Sequence, residues 1–117
     1  VTSLDLSGYK YISTEVSKKY TRKAIEQIYN EILLLQKEPV GKTELKTVRN
    51  YMLGDMVRMF DGPFALAESL RSVWEFGLDN SYYYRMIDKI KTIQPDEIIY
   101  LANTYYKIDD LHEITAG

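Results

Sequence analysis

His112 is the only imidazole in the chain, and there is no cysteine. Zinc is normally held by about three or four His, Cys or carboxylate ligands in a tetrahedron, and a lone histidine between Leu111 and Glu113 lacks the second imidazole such a site needs. His112 is therefore expected to be a strand residue near the surface with a polar tip. The same scarcity removes nucleophilic catalysis: there is no thiolate, and no Gly-x-Ser-x-Gly turn to present a serine to that histidine. Phosphate cradles of the Gly-x-Gly-x-x-Gly or P-loop kind are absent too, and Gly54 and Gly62 stand isolated. Asp96-Glu97 and Asp109-Asp110 are carboxylate pairs, but at helix ends and turns such pairs act as caps and as partners of the helix dipole. No catalytic, cofactor-binding or metal-binding residue is assigned.

Two clusters suit binding better than reaction. Met52, Met56 and Met59 fall on one face of a helix, where they could form an adaptable groove; beside Leu45 and Val48 they read as core. Tyr82-Tyr83-Tyr84 are consecutive at a helix start, and neighbours on a helix point about 100° apart, so at least one ring faces out. That triplet is the best exposed-aromatic candidate for a peptide or protein partner.

The elements that must carry these residues follow from hydrophobic period. Residues 8–16 alternate, with Lys10, Ile12, Thr14 and Val16 on one side, which predicts a strand. Leu4, Leu6 and the turn Ser7-Gly8 predict a second short strand before it. From Thr21, a candidate N-cap, Ala24, Ile25, Ile28, Ile32 and Leu35 recur at helical spacing, widened by Tyr29 and Leu33, until Pro39 stops the pattern. A second helix starts near Lys42 with Gly41 as N-cap and Glu44 placed as in a capping box, its face being Leu45, Val48, Met52, Met56 and Met59. Pro63 opens a third that turns Phe64, Ala67, Leu70 and Trp74 inward and ends at Gly77. Asp79 or Asn80 caps a fourth through Met86, Ile87 and Ile90, and Gln94-Pro95-Asp96-Glu97 opens a fifth with Ile98, Leu101, Ala102 and Tyr105. Residues 111–116 predict a closing strand.

Strands at both ends of a run of helices predict an α+β fold: a small antiparallel sheet of the N-terminal strands and the C-terminal strand, covered by about five helices. At 117 residues the whole chain, 1–117, reads as a single domain, and so thin a sheet under so many helices predicts one that is truncated. Gly54, inside a helix, is expected to mark close approach of another element.

Composition narrows the partners. Fifteen basic and seventeen acidic residues leave a net charge of −2, without the basic footprint of a nucleic-acid binder. No apolar run, 32–35 among them, comes near the roughly 18 to 20 residues of a bilayer span, and the N-terminus has no basic stretch followed by an apolar one, so neither a membrane segment nor a signal peptide is expected. Eleven tyrosines suit half-buried faces whose hydroxyls reach water or backbone acceptors.

Pro39-Val40, Glu44-Leu45 and Val48-Arg49-Asn50-Tyr51-Met52-Leu53-Gly54, taken in order, resemble the insulinase-like family of zinc peptidases, which includes pitrilysin and the mitochondrial processing peptidases. The likeness extends over nearly the whole chain: the segment 8–16, Ala24-Ile25, Glu31 to Leu35, Pro63 with Leu66-Ala67, Gly77, and Ile93, Pro95 and Ile98. Each motif is weak alone; their order is more specific. The resemblance implies the C-terminal part of a non-catalytic domain, which encloses peptide substrate while a separate domain carries zinc and hydrolysis. The family's His-x-x-Glu-His has no counterpart here, so its ligands and base are not transferred. Nor is the substrate-contacting Arg and Tyr pair of the family's non-catalytic half, since Arg22 and Tyr29 share its separation but fall inside the first helix. Gly41, where a Ser or Thr cap is common, and the polar closing strand 111–116 depart from the pattern.

The partners so implied are the catalytic domain of the same protein, a peptide substrate and, through an unpaired sheet edge, a second copy of the fragment. Zinc would belong to the parent protein and not to this chain, and a bacterial periplasmic or cell-surface setting is typical of the family. Two other readings remain: a stand-alone helical interaction module, and a scaffold homologue that has lost zinc.

Overall fold

The computed structural model describes residues 2–3 and 8–116. Five α-helices dominate: α1 Thr21–Lys37, α2 Lys42–Met59, α3 Pro63–Glu75, α4 Ser81–Thr92 and α5 Pro95–Tyr105. Short 3-10 turns at Lys18–Tyr20 and Ile108–Asp110 precede α1 and follow α5. Strand pairing among the described residues is confined to β1 Thr2–Ser3 against β2 Gly8–Tyr9, antiparallel with Thr2 opposite Tyr9 and Ser3 opposite Gly8.

The expected α+β architecture is therefore wrong for this chain: among the described residues the fold is helical, and beyond the two-residue β1–β2 pairing there is no sheet for the helices to cover. Of the predicted strand 8–16 only Gly8–Tyr9 pairs, and residues 10–17 are irregular and exposed. The predicted closing strand, 111–116, is irregular as well, with Ile114 93% exposed. Alternation reports that a segment could lie half-buried on a sheet, but a strand needs a neighbour for its backbone groups, and among the described residues neither 10–16 nor 111–116 has one. The predicted strand through Leu4 and Leu6 falls on residues outside those described.

The helix boundaries obey local chemistry. Gly41 stands at the N-cap of α2, its carbonyl accepting from Leu45 N–H at 2.9 Å, with Glu44 in the first turn. Pro63 is the first residue of α3, where a missing N–H costs nothing. At the other end of α3, Gly77 adopts φ +65°, its N–H bonds Trp74 O at 2.9 Å and Leu78 N–H bonds Val73 O at 3.0 Å; this pair of bonds closes the helix and demands a left-handed residue. Asp79 Oδ1 accepts from Ser81 N–H at 2.8 Å at the start of α4. At α5 Glu97 Oε2 accepts from Gln94 N–H at 2.9 Å, the reaching-back half of a capping box.

Two compact units divide the chain, one of residues up to Glu38 together with Ile99 onward, the other Pro39–Ile98. In the second, α2, α3 and α4 surround Met56, Val73, Tyr83 and Ile90, with Leu53, Phe60, Tyr82, Met86 and Ile87 packed against them. Tyr83 sits edge-on to Phe60 at 4.9 Å between ring centres, and its hydroxyl donates to Ser69 O at 2.8 Å. In the first, Ile32 of α1 and Ala102 of α5 are buried. Gln36 Nε2 donates to Ala102 O and Tyr106 O, and Asn103 Nδ2 returns a bond to Gln36 O at 2.9 Å.

Candidate functional site

The groups that could do chemistry are dispersed or already employed. His112 is exposed in the irregular tail, not in a strand. Among the described residues no cluster of three or more His, Asp or Glu side chains could hold a metal ion. Glu97 is held below the usual carboxylate range, chiefly by the hydrogen bond from Lys89 and next by the Gln94 N–H it caps. Asp79 is lowered likewise by the Ser81 hydroxyl, then by the Ser81 N–H, with Arg85 at 3.7 Å. Glu68 is lowered by its bond to Arg71, which also pairs with Glu75. A carboxylate stabilised in its charged form is a poor proton carrier near neutrality, so these groups position helices. The Glu113 carboxylate beside the Tyr29 hydroxyl raises that phenol above its ordinary range, which removes it as a base.

Among the described residues one buried side-chain polar atom lacks a hydrogen-bond partner, Arg49 Nε, although the same guanidinium donates through Nη2 to Ile93 O at the end of α4. A cation at a helix C-terminus meets the negative end of the helix dipole. Arg49 thus fastens α2 to α4.

Apolar surface is the more informative feature. Of the methionine row only Met56 is buried; Met52 and Met59 are 43% and 42% exposed, so the row is not core throughout. The inward face of α2 is instead Leu45, Arg49, Leu53, Met56 and Phe60, a row equally compatible with helical spacing but interrupted by a charge. In the tyrosine triplet Tyr83 is buried, Tyr82 is half-buried at 5.3 Å from the Tyr83 ring, and Tyr84 is 75% exposed, the outward ring that helix geometry required.

The largest departure lies in α3. The expected inward residues face out: Phe64 is 90% and Trp74 77% exposed, Ala67 is exposed and Leu70 half-buried. Ser69 and Val73 are buried in their place, with Ala65 and Ser72 half-buried beside them, and Ser69 Oγ donates to Met59 O at 3.0 Å. The row 65, 69, 72 and 73 has helical spacing too, and its small side chains were the available signal that α2 and α4 approach closely here. An open groove runs along the outer face, lined by Ala67, Leu70, Arg71, Trp74, Glu75 and Asn80. Sequence reasoning had placed this surface inside.

No family model, curated protein or solved structure matches the chain. No helix among the described residues is long and apolar enough to cross a membrane.

Proposed function

We propose that the chain is a non-catalytic, substrate-enclosing portion of an insulinase-like zinc peptidase, with peptide hydrolysis and zinc carried by a separate domain of the same protein. The observation that carries this reading is the order of the motifs from Pro39 to Ile98, together with their positions in the helices. Pro39-Val40 lies between α1 and α2, Leu45 is buried in the first turns of α2, Pro63 begins α3, Gly77 terminates it, and Pro95 begins α5. In this role the chain does no chemistry: its helices stiffen one wall of a chamber, and peptide and catalytic domain are its partners. Reading the coding sequence upstream tests it directly. A His-x-x-Glu-His several hundred residues earlier in the same frame supports an active peptidase; the same upstream domains without that motif leave a zinc-less scaffold of the family.

A second reading, a helical protein-interaction module, is favoured by the outward apolar face of α3 and by exposed Tyr84. An open reading frame without any such upstream domains would select it over the first.

A further inference from the structure

The third helix is buried on one side and carries an exposed apolar stripe on the opposite side. Ser69 and Val73 face α2 and α4, while Phe64, Ala67, Leu70 and Trp74 form a stripe on the other side. A contiguous exposed apolar patch marks an interaction surface.

We propose that this outer face of α3 is the contact surface of a two-fold dimer of the chain, with α3 packed antiparallel on α3 of a second copy. The pattern along the stripe argues for that occupant. Phe64 and Trp74 lie at its two ends, about 15 Å apart along the helix axis, with Ala67 and Arg71 near the middle. Turned about its midpoint, the stripe sets Phe64 of each copy beside Trp74 of the other, and puts short Ala67 opposite the Arg71 stem where the helices approach closest. A self-complementary arrangement of this kind is what a two-fold contact requires. The guanidinium brings no unpaired charge, because Glu68 and Glu75 of the same helix already hold Arg71.

The area is of the right order. Aromatic side chains bury about 150–250 Å² each, so two Phe and two Trp remove about 600–1,000 Å² from water, and Leu70, Ala67 and the Arg71 stem bring the total to the lower edge of specific interfaces, about 1,000–1,200 Å². A reversible, concentration-dependent dimer follows. It is independent of the peptidase reading, which stands or falls on the upstream sequence.

Trp74 is the only tryptophan, so its emission reports on this face alone. The full chain is measured by light scattering and tryptophan fluorescence from low micromolar to millimolar concentration. The expected result is a rise from 13.7 kDa to twice that mass, with a blue shift of Trp74 emission along the same isotherm. Phe64→Glu, at a 90% exposed position in the first turn of α3, is expected to keep the helical circular dichroism and to lose both changes; Ala67→Glu, also exposed, serves as the second variant. A monomer at every concentration, a dimer whose Trp74 emission does not move, or a dimer that survives either folded variant would overturn the proposal, the last two pointing to another contact such as pairing through residues 8–16.

Discussion

Between Pro39 and Ile98 the centre is made of side chains: Met56, Val73, Tyr83 and Ile90, each at most 8% exposed, with aromatic edges closing the gaps. The unit of residues up to Glu38 with Ile99 onward buries only Ile32 and Ala102 that deeply among the described residues. It ties its elements by polar links instead. Gln36 and Asn103 exchange bonds between α1 and the end of α5, and Lys10 Nζ reaches Tyr105 O at 3.2 Å while lying 4.7 and 4.5 Å from the ring centres of Tyr105 and Tyr106. The two regions obey different energetics. A buried methylene is lost in full when it is deleted, whereas a half-exposed hydrogen bond is exchanged for one to water.

The largest effect should therefore come from Met56→Ala, which opens a cavity at the meeting point of α2, α3 and α4 and should cost about 3 kcal/mol, within the range of such truncations. Urea denaturation monitored by circular dichroism measures it. A loss under about 1 kcal/mol would mean that this centre is loosely packed and that the contrast between the units is illusory.

Gln36→Leu sharpens the comparison from the other side. The substitution keeps the volume but removes the donor shared by the Ala102 and Tyr106 carbonyls, and the expected loss is about 1 kcal/mol, since water can replace part of what is removed. Should it equal the Met56→Ala loss, the polar links would be as deeply engaged as the apolar centre.

The same contrast explains what the sequence made legible. All five helices lie close to where the prolines, Gly41, Asp79 and Gly77 put them, because those signals act within a few residues, although Thr21 is the first residue of α1 and not its cap: Tyr20 stands there without a side-chain cap bond. The face of α1 was legible except at Leu33, which is exposed: Ala24, Ile25, Ile28, Tyr29 and Leu35 are half-buried around buried Ile32. What failed was the choice between two helical rows on one helix. On α2 the inward row is interrupted by Arg49, whose apolar stem packs while its charged head bonds Ile93 O, so hydrophobicity alone does not mark that row. On α3 hydrophobicity favours the bulkier row as core, whereas close helix packing favours the small one, Ala65, Ser69 and Ser72. The strands failed for a third reason, because pairing depends on a partner that no local pattern contains. The candidate surface on α3 was thus visible in composition and misplaced in orientation.

Gly54 tests the helix that spans this error. It was expected to sit against another element, yet a Cβ built there meets nothing within 4 Å. Close packing is not its explanation, and only the cost of glycine in a helix remains. Gly54→Ala should therefore stabilise the protein by about 0.5–1 kcal/mol, read as a rise in the urea midpoint. A loss of stability would restore a close neighbour at this position and reopen the assignment of the α2 faces.

The smallest effect concerns charge at the surface of the Pro39–Ile98 unit. Glu97 in the folded chain lies below its usual 4.5, held first by Lys89 and then by the Gln94 N–H. A carboxylate lowered by folding contributes stability that is complete above the unfolded value and disappears as pH falls through the folded one. The contribution is thus present at neutrality and fades only on acidification below about 4.5. Glu97→Gln should flatten part of the fall in thermal midpoint below that pH while changing the neutral midpoint little, because both partners are exposed to solvent. Salt separates the two causes: it should weaken the Lys89 pairing and leave the bond to the Gln94 N–H largely intact. If Glu97→Gln melts with an unchanged pH profile in low salt, the start of α5 is set by Pro95 and not by this carboxylate, and polar contacts at the surface of this unit contribute as little to stability as its apolar centre contributes much.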